Sequence, residues 1–148
     1  MMKHFGSYFE YEKERNRDLM RAFKYVMSHR CGMTMEEVFA KTVEMPSERF
    51  WVSEQRAAGV VLEMMKGDKL DTMRPNKRAM FNEIYRRFLE LKKTRPMDSV
   101  YDITFDVVNS HAPRFYLTPS SAHVIISKIK RKWYKAREQF WAEVRERS

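Results

Sequence analysis

Glycine, proline and cysteine are scarce in this sequence of 148 residues, which contains four, five and one of them respectively. So few glycines and prolines leave little room for the many tight turns of an all-β fold, and helices are the expected elements. The single cysteine, Cys31, excludes an internal disulfide and a zinc site built from cysteines. A reducing cytoplasm is therefore the expected compartment.

Long hydrophobic runs are also lacking. No apolar stretch approaches the ~20 residues that span a bilayer, and residues 1–6 lack the features of a secretory signal. Apolar residues nevertheless make up 43% of the chain and aromatic residues 14%, which is typical of a folded domain rather than of a disordered segment. We expect one compact all-α domain over residues 1–148, with no membrane partner.

Sequence motifs typical of catalytic, metal-binding or phosphate-binding sites are absent as well. The histidines His4, His29, His111 and His123 form no ligand pair at helical spacing, and there is no glycine-rich phosphate-binding loop. Cys31 lies close to His29, but two such residues in one loop are weak evidence for nucleophilic catalysis. We therefore predict no catalytic residues, no metal site and no cofactor, and hence a protein that is not an enzyme.

The feature that organises the chain is an internal repeat. The sequence RFWVS at residues 49–53 returns as RFYLT at residues 114–118, an offset of 65. The same offset relates further identical residues, namely Arg21/Arg86, Phe23/Phe88, Arg30/Arg95, Val43/Val108 and Ala57/Ala122. The sequence thus predicts a tandem duplication of a three-helix unit, with copies at 12–67 and 75–134 that share a core and a basic helical extension at 135–148.

Helix ends are predicted from capping residues. Thr34, Ser53, Ser99 and Thr118 each precede an apolar helical pattern and can accept a hydrogen bond from a free backbone N–H. Prolines 75 and 119 suit the first turn of a helix. The first helix is expected from about residue 12, after an arm that packs on the core or on a partner. The last helix is expected to run to about residue 147, and its pattern also allows a break near Tyr134.

The repeated aromatic link has two interpretations. Phe50-Trp51 and Phe115-Tyr116 are either exposed platforms on which unpaired bases stack, or packing residues that fill the space between helices. Aromatic residues at matching positions of a duplicated core favour packing, more strongly for the two phenylalanines than for Trp51 and Tyr116.

Positive charge is concentrated in the second half of the chain. Residues 1–73 contain 12 basic and 12 acidic residues, whereas residues 74–148 contain 17 and 8, so the whole net charge of +9 belongs to the second half. An excess of this kind favours a polyanionic partner. Within the last helix, Lys128, Arg131, Lys132 and Lys135 share one stripe without an acidic residue.

These observations predict a nucleic-acid-binding, accessory or regulatory protein that contacts phosphates, with DNA a better candidate than RNA. The three-helix unit resembles helix-turn-helix proteins in outline, although its link of about eight residues exceeds their usual three or four. The residues predicted to bind nucleic acid are Arg74, Lys77, Arg78, Arg114, Ser120, Ser121, Lys128, Lys130, Arg131, Lys132 and Lys135.

Each part of this site has a second interpretation. A basic stripe also occurs at the solvent-exposed C-terminal end of a helix, where lysine and arginine interact favourably with the helix dipole. The cations of the helix that follows Pro75 also fit an ordinary solvent-exposed surface. The alternative function is a structural or adaptor protein. In that case the amphipathic tail, with Trp133, Phe140 and Trp141, binds another protein or a second copy of the chain.

Overall fold

The computed structural model describes the backbone of residues 2–148 and the side chains of residues 11–148. The chain forms six helices, which are α1 (Met2–Ser28), α2 (Met35–Glu44), α3 (Glu54–Met65), α4 (Pro75–Thr94), α5 (Val100–Val108) and α6 (Pro119–Arg147). No strand occurs over the described backbone, so the prediction of an all-α fold is confirmed. None of the described helices is both long and apolar enough to cross a membrane.

The two terminal helices differ from the prediction. Helix α1 begins at Met2 rather than near Glu12, so the first residues are helical instead of forming an arm. Their side chains, including those of Tyr8 and Phe9, lie outside the described residues. Helix α6 continues through Tyr134 without a break. The last part of α6 shows no clean apolar period, and a helix that extends from a core into solvent does not need one.

The predicted N-caps are confirmed at all four positions. The side-chain oxygens of Thr34, Ser53, Ser99 and Thr118 each accept a hydrogen bond from the backbone N–H three residues later, at 3.1–3.2 Å. A cap of this kind stabilises a helix start by about 1 kcal/mol. These four residues therefore fix where α2, α3, α5 and α6 begin.

Glycine 67 ends α3 by adopting a conformation that other residues avoid. Its φ is 108°, and its N–H donates to the Met64 carbonyl while the Asp68 N–H donates to the Glu63 carbonyl. This is the Schellman arrangement of a helix C-terminus. It turns the chain back after α3, so that Leu70 is buried in the core.

The helices pack in two groups that do not follow the chain order. Helices α1, α2 and α6 contact one another, and so do α3, α4 and α5, whereas α3 makes no helix contact with α1 or α2 in the described structure. Each group therefore takes two helices from one half of the chain and the third from the other half. The segments 12–67 and 75–134 are not separate packing units, because each gives its last helix to the other.

Two links carry the chain from one helix group to the other, the first over residues 45–53 and the second over residues 109–118. We call them the two crossings, and backbone hydrogen bonds in matched pairs join them to the opposite half of the chain. Ser47 and Ala112 exchange N–H···O bonds of 3.0 and 3.1 Å. On either side, the Phe50 N–H donates to the Val108 carbonyl at 3.0 Å and the Phe115 N–H donates to the Val43 carbonyl at 2.9 Å. The two halves of the chain thus bind each other through equivalent atoms, 65 positions apart.

The phenylalanines of the aromatic links anchor the two cores. Phe50 is 1% exposed and packs among residues of α3, α4 and α5, whereas Phe115 is 5% exposed and packs among residues of α1, α2 and α6. The packing interpretation is therefore confirmed for both. Trp51 and Tyr116 are partly buried against the same two clusters.

Replacing either anchor with alanine is expected to destabilise the protein strongly. Phe50→Ala and Phe115→Ala should each lower the free energy of unfolding by about 3–5 kcal/mol, because a buried ring is lost and a cavity remains. Urea denaturation followed by circular dichroism measures the loss. The matched control is Phe105→Ala, at a ring that is 44% exposed, which should cost about 1 kcal/mol or less. Equal losses at all three positions would contradict the assignment of Phe50 and Phe115 as core anchors.

Candidate functional site

A long groove lies between α1 and α6 and encloses about 1170 Å³. Its apolar surface comes from four side chains, which are Met20, Ile125, Ile129 and Trp133. Met20 is buried, Ile125 and Ile129 are half-buried, and Trp133 is 50% exposed. The groove therefore has an apolar floor that is open to solvent at Trp133.

Basic residues dominate the rest of the groove lining. Eight cationic side chains line it against one carboxylate, that of Glu12. The cations are Lys13, Arg15, Arg17, Arg21 and Lys24 of α1 and Lys128, Arg131 and Lys132 of α6. Arg21 is already paired with the buried Asp18, at 2.6 Å. Seven cations remain, and they give this part of the surface a strong positive potential.

The sequence-predicted residues of α6 divide between the groove and its surroundings. Lys128, Arg131 and Lys132 line the groove, as expected from their common stripe. Lys130 is half-buried on another face, with its Nζ 4.7 Å from the centre of the Phe23 ring. Lys135 is exposed further along the helix. Ser120 and Ser121 are exposed in the first turn, where the Ser121 backbone N–H is used by the Thr118 cap.

The remaining predicted residues lie together in the other helix group. Arg74, Lys77 and Arg78 are at the start of α4, and Arg114 joins them through a hydrogen bond to the Asn76 side chain. Helix α4 makes no contact with α6 over the described residues. The predicted site is therefore two separate groups of cations, of which the α6 group lines the groove.

Most cations further along α4 are engaged within the protein. Arg86 and Arg87 bind Glu83 at 2.8 and 2.7 Å, and Arg95 binds Asp98 and Asp106 at 2.6 and 2.5 Å. Arg87 also donates to the His111 carbonyl at 2.6 Å, which connects α4 to the second aromatic link. These pairs favour the interpretation of α4 as structural surface rather than as an extension of a phosphate-binding face.

A buried carboxylate fixes α1 against the first aromatic link. Asp18 is 2% exposed, and its oxygens accept hydrogen bonds from Arg21, from the Glu48 backbone N–H at 2.8 Å and from Trp51 Nε1 at 2.9 Å. A buried carboxylate requires such donors, because an unpaired one costs several kcal/mol. Asp18 therefore holds the wall of the groove that α1 forms, and Trp51 serves this contact rather than acting as a free platform.

The corresponding contact in the other helix group is looser. Glu83 and Tyr116 stand 65 positions after Asp18 and Trp51. Burial raises the pKa of Tyr116, and the charge of Glu83 adds to the effect. The pKa of Glu83 is lowered by the hydrogen bond from Arg86, against the opposing effect of burial, and also by Arg87. Here two arginines, rather than an indole and a backbone N–H, hold the carboxylate.

The end of α6 carries a second exposed surface. From Arg131 onward every residue is exposed except Val144, which is half-buried. Phe140 and Trp141 are 57% and 51% exposed, and their ring centres are 5.3 Å apart. Side chains of this kind on a projecting helix are available for contact with another molecule.

The α1 side of the groove was not predicted from the sequence. The first half of the chain is neutral overall because the acidic residues of 29–73, eight against six basic ones, offset α1, which holds six basic and four acidic residues. The charge sum therefore conceals the cationic face. Lys13, Arg17 and Lys24 nevertheless follow one another by four and seven residues, which places them on the same side of a helix. That spacing is the signal from which they could have been identified.

The described side chains contain no group of three or more histidine, cysteine, aspartate or glutamate residues that could hold a metal ion. Comparison of the chain with protein-family models, with curated proteins and with solved structures finds no match.

The arginine pair on Glu83 predicts a specific dependence of stability on pH. The pKa of Glu83 in the folded protein is lowered from the ordinary value of 4.5, so its contribution is complete above that value and is lost as the pH falls through the folded pKa. Between pH 6 and pH 3, the free energy of unfolding should fall less in Glu83→Gln than in the unchanged protein. Urea denaturation across this range measures both, and parallel pH profiles would contradict the prediction.

Proposed function

We propose that this protein is a non-enzymatic nucleic-acid-binding protein with an accessory or regulatory role in the cytoplasm, and that the groove between α1 and α6 is its binding site. The observation that carries the proposal is the set of seven cations along the two walls that have no ion-pair partner among the described side chains, with one carboxylate in the same lining. Of the two nucleic acids, DNA remains the first candidate.

Phosphate binding explains why so many cations share one groove. Like charges at this spacing repel one another, so the arrangement costs stability unless a polyanion neutralises it. Lysine and arginine neutralise phosphates without regard to base sequence, and each contact releases a counterion. Groove residues from two helices could contact successive phosphates of one strand, whereas the solvated end of a single helix could not.

Charge reversal in the groove provides the test of this function. The triple variant Lys128→Glu, Arg131→Glu and Lys132→Glu should abolish binding of a labelled oligonucleotide at moderate salt, as measured by fluorescence anisotropy. At low salt, any remaining binding should show a salt dependence that is shallower by about 2–3 in the slope of log K against log salt, since three phosphate contacts are lost. Helicity should be unchanged, because all three side chains are exposed.

Exposed cations outside the groove, two of them among the predicted residues, supply the matched control. Lys69, Arg74 and Lys77 are exposed at the α3–α4 link and the start of α4, and reversing them changes the net charge by the same amount. This control variant should keep the affinity within about threefold, since none of its three residues lines the groove and salt screens charges that do not contact the bound strand. An equal loss in both triple variants would mean that total charge, and not the groove, determines binding.

We also propose that the architecture is a tandem duplication of a three-helix unit. The support is the equivalence of the two crossings. Four backbone hydrogen bonds join the two halves of the chain, and they form two pairs in which the donor and the acceptor residues of one bond lie 65 positions from the donor and the acceptor residues of the other. The caps Thr34/Ser99 and Ser53/Thr118 follow the same offset. In this account each unit exchanges its third helix with the other, as in a domain-swapped dimer joined into one chain.

A second candidate function, binding of another protein or of a second copy, is favoured by the exposed rings of Phe140 and Trp141. The two rings lie more than one helical turn beyond the last groove residue, Trp133, so the two functions can be separated by substitution. A surface of this kind takes part in helix pairing when a partner covers its apolar side.

Substitution of both rings tests this candidate. If the tail self-associates, Phe140→Ser with Trp141→Ser should convert an oligomer into a monomer in sedimentation velocity, with oligonucleotide affinity unchanged. The control is Tyr101→Ser, at an aromatic residue that is 44% exposed on α5. A protein that is monomeric at every concentration before substitution would exclude self-association through the tail.

A further inference from the structure

We infer that the groove between α1 and α6 takes a single, unpaired nucleic-acid strand, with Trp133 as the surface on which a base stacks. This inference presupposes the nucleic-acid function proposed above and specifies its substrate class. It comes from three features of the groove, which are its cationic walls, its apolar floor and the position of Trp133 beside Lys24.

The groove is elongated and cationic along both sides. Its α1 wall extends from Glu12 to Lys24, which is about 18 Å at the helical rise of ~1.5 Å per residue. Cations of α1 and of α6 line its two walls, and apolar side chains lie between them. A strand that lies along the groove can therefore place its phosphates against the walls and its bases against the apolar side chains.

The floor of the groove matches bases rather than phosphates. Phosphate contacts with a duplex need cations and polar groups, and an apolar floor of Met20, Ile125 and Ile129 adds nothing to them. An unpaired strand exposes the faces of its bases, which are apolar and stack on aromatic side chains. The combination of a cationic rim with an apolar, aromatic floor is therefore complementary to an unpaired strand.

Trp133 places an aromatic surface next to a cation at the open part of this floor. Half of its surface is exposed, and Lys24 Nζ lies 5.1 Å from the centre of its ring. The ammonium lies over one face of the indole, so a base would stack on the other face or displace the ammonium, and its phosphate would then be within reach of Lys24. Trp51 cannot serve in the same way, because its Nε1 is bound to the buried Asp18.

The other helix group differs at the equivalent position, and the comparison shows what leaves this groove open. Where α6 carries Lys128, α3 carries Glu63, 65 positions earlier. Helix α3 then ends at Met65, and the chain turns back to bury Leu70 in the core beside α4. Helix α6 continues straight instead. The apolar surface of α1 and α6 that a returning chain would cover is left open, and cations surround it.

The experiment compares strand and duplex on the full chain. A labelled oligothymidylate strand of about 10 nucleotides, the duplex that it forms with oligoadenylate, and an oligouridylate strand are titrated at low salt and followed by fluorescence anisotropy. The strands should bind more tightly than the duplex. Trp133→Leu should weaken strand binding by about 5- to 150-fold, the loss of one stacked base. Trp133→Phe should retain most of the affinity.

Two controls isolate the stacking. Trp141→Leu removes an indole of similar exposure, 51%, from the same helix outside the groove, and it should leave strand affinity unchanged. An oligoglutamate of equal charge tests charge without bases and should bind more weakly than the strand.

The inference is overturned, with the nucleic-acid function intact, if the duplex binds at least as tightly as the strand. The same conclusion follows if Trp133→Leu leaves strand affinity unchanged while charge reversal at Lys128, Arg131 and Lys132 abolishes it. Oligoglutamate binding equal to that of the strand would also overturn it, because charge alone would then suffice. Failure of every oligonucleotide to bind at low salt would refute the proposed function itself.

Discussion

The structure depends on the two chain crossings at which Ser47 and Ala112 exchange backbone hydrogen bonds. Each crossing carries a third helix into the opposite group and buries a phenylalanine there, so neither helix group has a complete core without residues from both halves of the chain. Burial of one such ring contributes about 3 kcal/mol, a large part of the stability of a small domain. The two groups are therefore expected to unfold together, because either crossing can form only when both halves are in place.

This constraint determines where the groove lies. Helix α6 reaches α1 because the second crossing delivers it there, and Asp18 then fixes α1 to the first crossing through Glu48 and Trp51. The cations of the groove come from residues more than 100 positions apart in the chain, yet their relative position is determined by these few buried contacts. Binding residues on rigid helices, rather than on loops, keep such a spacing without further ordering cost.

Local features were predictable from the sequence, whereas the exchange of helices was not. The four N-caps depend on a side chain and a backbone N–H three residues away, and the apolar faces depend on helical periodicity, so both can be recognised in the printed sequence. Which helix group receives α3 or α6 depends on the path of the link before each helix, and no local pattern in the sequence specifies that path. The α1 wall of the groove was missed for the same reason. The cations of α1 acquire a role when α6 lies beside them, and no pattern within α1 specifies that neighbour.

The two helix groups also show how one packing arrangement can serve two purposes. In the α3–α4–α5 group, Gly67 ends the third helix, the chain returns to cover the apolar surface with Leu70, and acidic residues hold the nearby arginines. In the α1–α2–α6 group no glycine ends the third helix, so the equivalent surface remains open, and seven of its eight cations have no ion-pair partner among the described side chains. In the first arrangement, residues of the chain itself cover the apolar surface and pair with the arginines. The second is complete only when a molecule from outside supplies negative charge and a surface to cover the apolar floor.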